Sequence, residues 1–306
     1  MFNPCKILGI LLVAVAIHLR ACNSSKILMP GPLMRGRGHT TLLSALCKEL
    51  TSRGHEVTIL VPSDNHLKVG AKFANSNATE ILEYDTVPMN ESEVTKSIRA
   101  GNKTNAGVWD SYVLFSEVLS EQYIYCRQLL SNDEIITRLR QSKFDLLIAD
   151  MTNVCDGLLP EVLQLPHIAL TAVAESTMAN YNKYGFPLES SYFMSPIVVP
   201  SDGTNPSLYT RAINVIVKSV LIPLTHFVCS IQWKPLQVEF NIRPDLDVTT
   251  LGHRSQFWLA HDSYMLEAPH PEMPNWCHVG GMAAARTNPL PQVSHLENYG
   301  TGIGIL

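Results

Sequence analysis

Two side chains in this sequence stand where a proton could be moved, His39 and Asp150. His39 follows the apolar run Lys26-Ile-Leu-Met-Pro and a loop broken by Gly31, Gly36 and Gly38, and it opens a helical pattern, Thr40-Thr-Leu-Leu. Asp150 ends the run Phe144-Asp-Leu-Leu-Ile-Ala. If both runs are parallel strands of one sheet, the two residues emerge at the same carboxyl edge, where open α/β sheets bind ligands. A carboxylate bonded to one imidazole nitrogen fixes the tautomer and stabilises the imidazolium formed when the other nitrogen takes a proton. Such a pair suits general-base activation of a hydroxyl. The partial positive charge of a helix amino terminus is expected to bias the ring toward its neutral form. Each residue also has an ordinary use: a loop histidine can be structural, and Asp150 could cap the helix that follows it.

The elements that would position the pair can be read from apolar periodicity. Leu42, Leu43, Leu46 and Leu50 recur at helical spacing, and Gly54 suits a carboxyl cap. The strand Val57 to Val61 follows and stops at Pro62, completing a parallel crossover that is right-handed by strong default. Residues 69–105 are polar, with a short strand expected near Ala78 to Leu82. Helices are expected over Val108 to Leu130 and Asp133 to Gln141, the second with Ile135, Ile136 and Leu139 on one face. A second unit resembles the first: the strand ending in Asp150, a helix carrying Leu158, Leu159, Val162 and Leu163, a stop at Pro166, and the strand His167 to Val173.

Residues 185–210 read as loop. Ala212 to Trp233 is apolar but interrupted by Lys218, Pro223 and His226, which favours an amphipathic or kinked helix pair over a membrane span. Phe257 to Ala260 reads as a short strand, and from Pro269 a Pro/Gly-rich stretch reads as a domain-edge linker. The fold class is α/β, with a mostly parallel, Rossmann-like sheet.

The 306 residues are 46% hydrophobic and 16% charged, with a formal charge of -4, which fits a packed core and gives no basic footprint for nucleic acid. Residues 1–25 have the plan of a secretory signal: Lys6, an apolar run from Ile7 to Leu19, and cleavage expected between Ala21 and Ser25. Of seven cysteines, five follow that segment, Cys47, Cys126, Cys155, Cys229 and Cys277. They read as buried small hydrophobes with at most one bridge, and none has metal-ligand spacing. Three sequons, at Asn77, Asn90 and Asn102, fall in the polar stretch and suit a glycosylated lumenal loop. Asn23 starts a fourth at the cleavage region. His55, in Arg53-Gly-His-Glu, reads as a surface turn, while His261, His270 and His278 lack ligand spacing. The glycines are spaced G-x-x-x-x-G-x-G, neither the dinucleotide fingerprint nor a P-loop, so Asp64 beyond the second strand is a weak ribose ligand.

Gly38-His39, the segment Arg53-Gly-His-Glu-Val-Thr, the strand ending in Asp150 with Cys155 beyond it, and Met273-Pro-Asn-Trp-Cys-His-Val-Gly-Gly281 together resemble the amino-terminal half of animal UDP-glycosyltransferases, above all the UDP-glucuronosyltransferases of the endoplasmic reticulum. The resemblance implies an amino-terminal lobe of a two-lobe GT-B fold: 26–282 as the acceptor-binding lobe, 283–306 as the remnant of an interlobe linker, and the second lobe absent. It implies that His39 is the general base toward a small lipophilic acceptor and Asp150 its acidic partner. The co-substrate UDP-sugar would be bound mainly by the second lobe, with no resident cofactor. Thr40 stands where many of the animal enzymes carry an aromatic residue. Also implied are a lumenal location, membrane association without a transmembrane anchor in this chain, and assembly of this chain with itself or with a full-length transferase. On this reading the chain is a half-enzyme, inactive alone, and the alternative is a non-catalytic module that regulates a complete one.

Overall fold

In the computed structural model, residues 24–33, 37–63, 73–87, 108–171, 206–261 and 274–282 are described, with Ser92 and Lys96. Almost all of the expected signal, the sequons at Asn90 and Asn102, Asp64, His270 and residues 283–306 lie outside them.

Seven strands form one sheet: β1 (Lys26–Pro30), β2 (Glu56–Pro62), β3 (Glu80–Tyr84), β4 (Leu146–Asp150), β5 (His167–Thr171), β6 (Phe257–Ala260) and β7 (Trp276–His278). Their spatial order is β3-β2-β1-β4-β5-β6-β7, and every pairing is parallel. Strands covered on both faces need apolar side chains at successive positions. That is why Ile27, Leu28 and Met29 of β1, Ile59, Leu60 and Val61 of β2, and Leu147, Ile148 and Ala149 of β4 are consecutive and all buried.

Helix α1 (Arg37–Ser52) links β1 to β2, and α2 (Val108–Leu130) with α3 (Asp133–Gln141) return the chain from β3 to β4. α4 (Val154–Leu163) joins β4 to β5. α3 shows how local sequence fixes such an element. The Asn132 side chain accepts from the Ile135 N–H, Asp133 and Glu134 occupy the first turn, Arg138 and Arg140 the last, and Ile135, Ile136 and Leu139 are buried.

Three boundaries differ from the sequence reading. The third strand lies two residues later than expected, because Asn77 takes a left-handed φ of 58° and the Ser76 hydroxyl accepts from the Ala78 N–H, so a turn occupies the expected start. Ser207 caps α5 (Leu208–Ile216) by accepting from the Thr210 N–H at 3.1 Å, so the loop ends before residue 208. α5 runs through a π-turn, Val217–Leu221, into α6 (Ile222–Glu239), and the buried Lys218 sits in that turn. The stretch read as a linker contains β7: Trp276 is buried and stacks on Trp258 of β6, with ring centroids 5.8 Å apart. A short helix, α7 (Val248–Leu251), precedes β6.

One disulfide joins Cys126 of α2 to Cys155 of α4, 29 residues apart. Cys47 is buried, as expected of a small apolar residue, whereas Cys277 is exposed. Closing a loop of 29 residues removes denatured-state freedom worth roughly 3–4 kcal/mol in the chain-entropy account. Replacing both cysteines by alanine should therefore lower the free energy of unfolding by about 3 kcal/mol. Urea titration of both proteins, with and without reductant, checks this: reductant should shift the midpoint of the native chain and leave that of the variant unchanged.

Candidate active site

The strand order reverses between β1 and β4: from β1 the chain moves outward through β2 and β3, then returns to add β4 on the other side. The crevice outside the carboxyl ends at such a reversal is the favoured ligand site of open α/β sheets. His39 and Asp150 both lie there.

α1 supplies the histidine. Thr40, Leu42, Leu43, Leu46 and Cys47 are buried, whereas the His39 side chain, in the first turn, keeps 15% of its surface exposed. The helix ends in a Schellman arrangement, in which the Gly54 N–H reaches the Thr51 carbonyl and the His55 N–H the Leu50 carbonyl. Gly54 has φ 89°, a conformation that glycine adopts without a Cβ penalty.

β4 supplies the acid. Asp150 is its last residue and is buried, and its Oδ2 lies 2.7 Å from His39 Nδ1. Its Oδ1 accepts from the Thr152 N–H at 3.1 Å and the Thr152 hydroxyl at 2.7 Å. Asp150 thus closes its own turn without capping α4, whose N-cap is Asn153. An ionised carboxylate only accepts, so Nδ1 carries the hydrogen of this bond and Nε2 is left to take a proton.

Burial lowers the His39 pKa, but the hydrogen bond to Asp150 and its charge together more than offset this, so the ring titrates above its ordinary value. The expected bias toward neutrality from the helix end is thereby corrected: the carboxylate in contact is the stronger influence. His167 shows the opposite case. It begins β5 at the other edge of the sheet, and burial, then the charge of Arg254, push its imidazole down to about 4. His55 accepts from the Ser25 N–H at 3.3 Å, in the turn expected of it. Asn77 is exposed.

Three residues absent from the sequence reading support the acid. Gln122 of α2 donates to the Thr152 carbonyl at 3.0 Å and accepts from the Val154 N–H at 3.2 Å. Asp156 Oδ2 accepts from the Asp150 N–H at 3.0 Å and from Asn153 Nδ2 at 3.4 Å. Burial first, then the charge of Asp150, hold the Asp156 carboxyl well above the usual carboxylate range. Asp156 and Tyr84 also line a small cavity of about 10 Å³, close to the room one water needs. The only sequence signal for Asp156 was a carboxylate in the first turn of an otherwise apolar helix.

Comparison of sequences gives the family: the chain belongs to the UDP-glucoronosyl and UDP-glucosyl transferase family, whose model matches residues 33–303. Among its relatives it is similar to UDP-glucuronosyltransferase 2B7 of Rattus norvegicus, 28% identical over 97% of this chain and 56% of that protein. It is also similar to UDP-glucuronosyltransferase 2B15 of Homo sapiens, 25% identical over 83% of this chain and 48% of that protein. The chain spans about half the length of the curated relatives it matches. Among solved structures it is similar to the glycotransferase of kitacinnamycin, with a TM-score of 0.49 at 14% identity over 84% of this chain and 51% of that one. No helix of the described residues is long and apolar enough to cross a membrane.

Because the folded His39 pKa is raised, its contribution to stability is present in full below the unfolded value of about 6.5 and is lost as pH rises through the folded value. Imidazole NMR across pH should place the His39 midpoint above 6.5. In Asp150→Asn it should fall below 6.5, because burial then acts without the carboxylate.

Proposed function

We propose that this chain forms the acceptor-side lobe of an inverting UDP-sugar transferase and that His39 is its general base. The 2.7 Å contact between His39 Nδ1 and Asp150 Oδ2, at the carboxyl edge where the strand order reverses, carries this reading. His39 Nε2 takes the hydroxyl proton of a small lipophilic acceptor as the acceptor oxygen forms its bond to the anomeric carbon. The bond from that carbon to the diphosphate breaks, UDP leaves with the electron pair, and the configuration inverts. Asp150 stabilises the imidazolium that results. Its two oxygens are fully engaged, one on His39 and one on Thr152, so the carboxylate holds one orientation throughout. The UDP-sugar, carrying glucuronic acid or another hexose, is held mainly by the second lobe of a GT-B pair. The signal-like amino terminus, the sequons and the family support a location in the endoplasmic reticulum lumen.

Transfer is tested by supplying the carboxyl-terminal lobe of a relative to this chain, fused or as a separate protein, with UDP-sugars and a panel of phenols and alcohols. His39→Ala should lower turnover by on the order of 100- to 10,000-fold while leaving donor affinity nearly unchanged. Activity kept within a few-fold would remove His39 as the base. Independently, the chain expressed in animal cells should gain mobility on endoglycosidase treatment, and Asn77→Gln should abolish part of that shift. An unglycosylated cytosolic product would overturn the lumenal assignment.

A further inference from the structure

The acid ends β4, ahead of a turn, and the base stands in the first turn of α1, the helix that follows β1. A bond of 2.7 Å between their side chains survives only if the end of β4 and the start of α1 keep their spacing to within roughly 0.5 Å. One buried hydrogen-bonded chain ties the end of β4 to the segment that precedes α1. The Leu33 N–H, three residues beyond the end of β1 and ahead of α1 in the chain, donates to Asn153 Oδ1 at 3.3 Å. Asn153 Nδ2 donates to Asp156 Oδ2 at 3.4 Å, and the same oxygen accepts from the backbone N–H of Asp150 at 3.0 Å. Asn153 is 0% and Asp156 2% exposed, so neither bond can be replaced by water without opening the turn.

We infer that Asn153 and Asp156 are positioning residues, which clamp the end of β4 at Asp150 to Leu33, on the segment that runs from β1 toward His39, and so hold the imidazole–carboxylate bond. Neither touches His39 itself. Their alternative use is ordinary: Asn153 is the N-cap of α4, yet its side chain makes no cap hydrogen bond, and Asp156 stands in the first turn of α4 facing inward. Both side chains spend their bonding on these two segments. The groups facing Asp156 are Asp150 from β4, Asn153 from the turn, and Tyr84 from β3 across the small cavity. Among them, burial and Asp150 favour a protonated Asp156, for which asparagine is a near-isosteric substitute with a carbonyl that still accepts from Asp150.

This inference rests on the reading of His39 and Asp150 as the reacting pair, but its test needs neither donor nor acceptor, so a failure of transfer and a failure of positioning are read separately. The His39 imidazole is titrated by NMR in the full chain, its cross-peak assigned by its loss in His39→Gln. Asp156→Asn should titrate as the native chain does. Asp156→Ala and Asn153→Ala should lower the His39 midpoint by roughly one pH unit, because the imidazole loses its carboxylate while staying buried. Thermal unfolding is followed in parallel, since a purely structural role would lower Tm and leave the His39 midpoint of the folded protein where it was. That result in both alanine variants would overturn the inference, as would Asp156→Asn titrating like Asp156→Ala. Should Asp156→Ala fail to fold, Asn153→Ala decides alone, by the same two outcomes.

Discussion

A carboxylate as deeply buried as that of Asp150 cannot remain ionised without partners, since an isolated buried charge either neutralises or unfolds its surroundings. Three hydrogen bonds meet that requirement directly. Thr152 takes one oxygen and His39 the other, while Asp156 engages the residue's own backbone. Because β1 lies beside β4, the amino terminus of α1 brings its imidazole to that oxygen. Charge burial, strand order and the state of the imidazole are thus one constraint seen at three scales.

The same constraint separates two neighbouring carboxyl groups. Asp150 and Asp156 are six residues apart and joined through a backbone N–H, yet their surroundings differ. Asp150 meets a group that can become a cation, whereas Asp156 meets an amide, a peptide N–H and, across a small cavity, a phenol. Two like charges this close would repel, so keeping the second acid protonated relieves the first.

Much of this was legible in the amino-acid sequence, for definite reasons. Strands buried on both faces announce themselves as apolar runs, so β1, β2, β4 and β5 could be read directly, and the residues at their carboxyl ends followed from them. Asp150 was visible because it ends such a run, and His39 because it opens the helix that follows one. β7 was not, since three residues in a Pro/Gly-rich context carry no periodicity, and the stacking of Trp276 on Trp258 of the preceding strand is a tertiary contact. Gln122, Asn153 and Asp156 were missed because polar residues that bond to distant backbone groups leave no spacing to detect. The raised titration of His39 depends on one tertiary contact, which local helix electrostatics could not anticipate.

The disulfide between α2 and α4 encloses α3 and the whole of β4 in a covalent ring. A protease that cuts anywhere between Cys126 and Cys155 opens this ring without dividing the molecule, because both new ends stay attached through the sulfur atoms. Asp150 would remain tethered to both α2 and α4 after such a cut. In an oxidising, protease-bearing compartment the central strand of the site is therefore guarded against loss by backbone cleavage, a protection that hydrogen bonds alone could not provide.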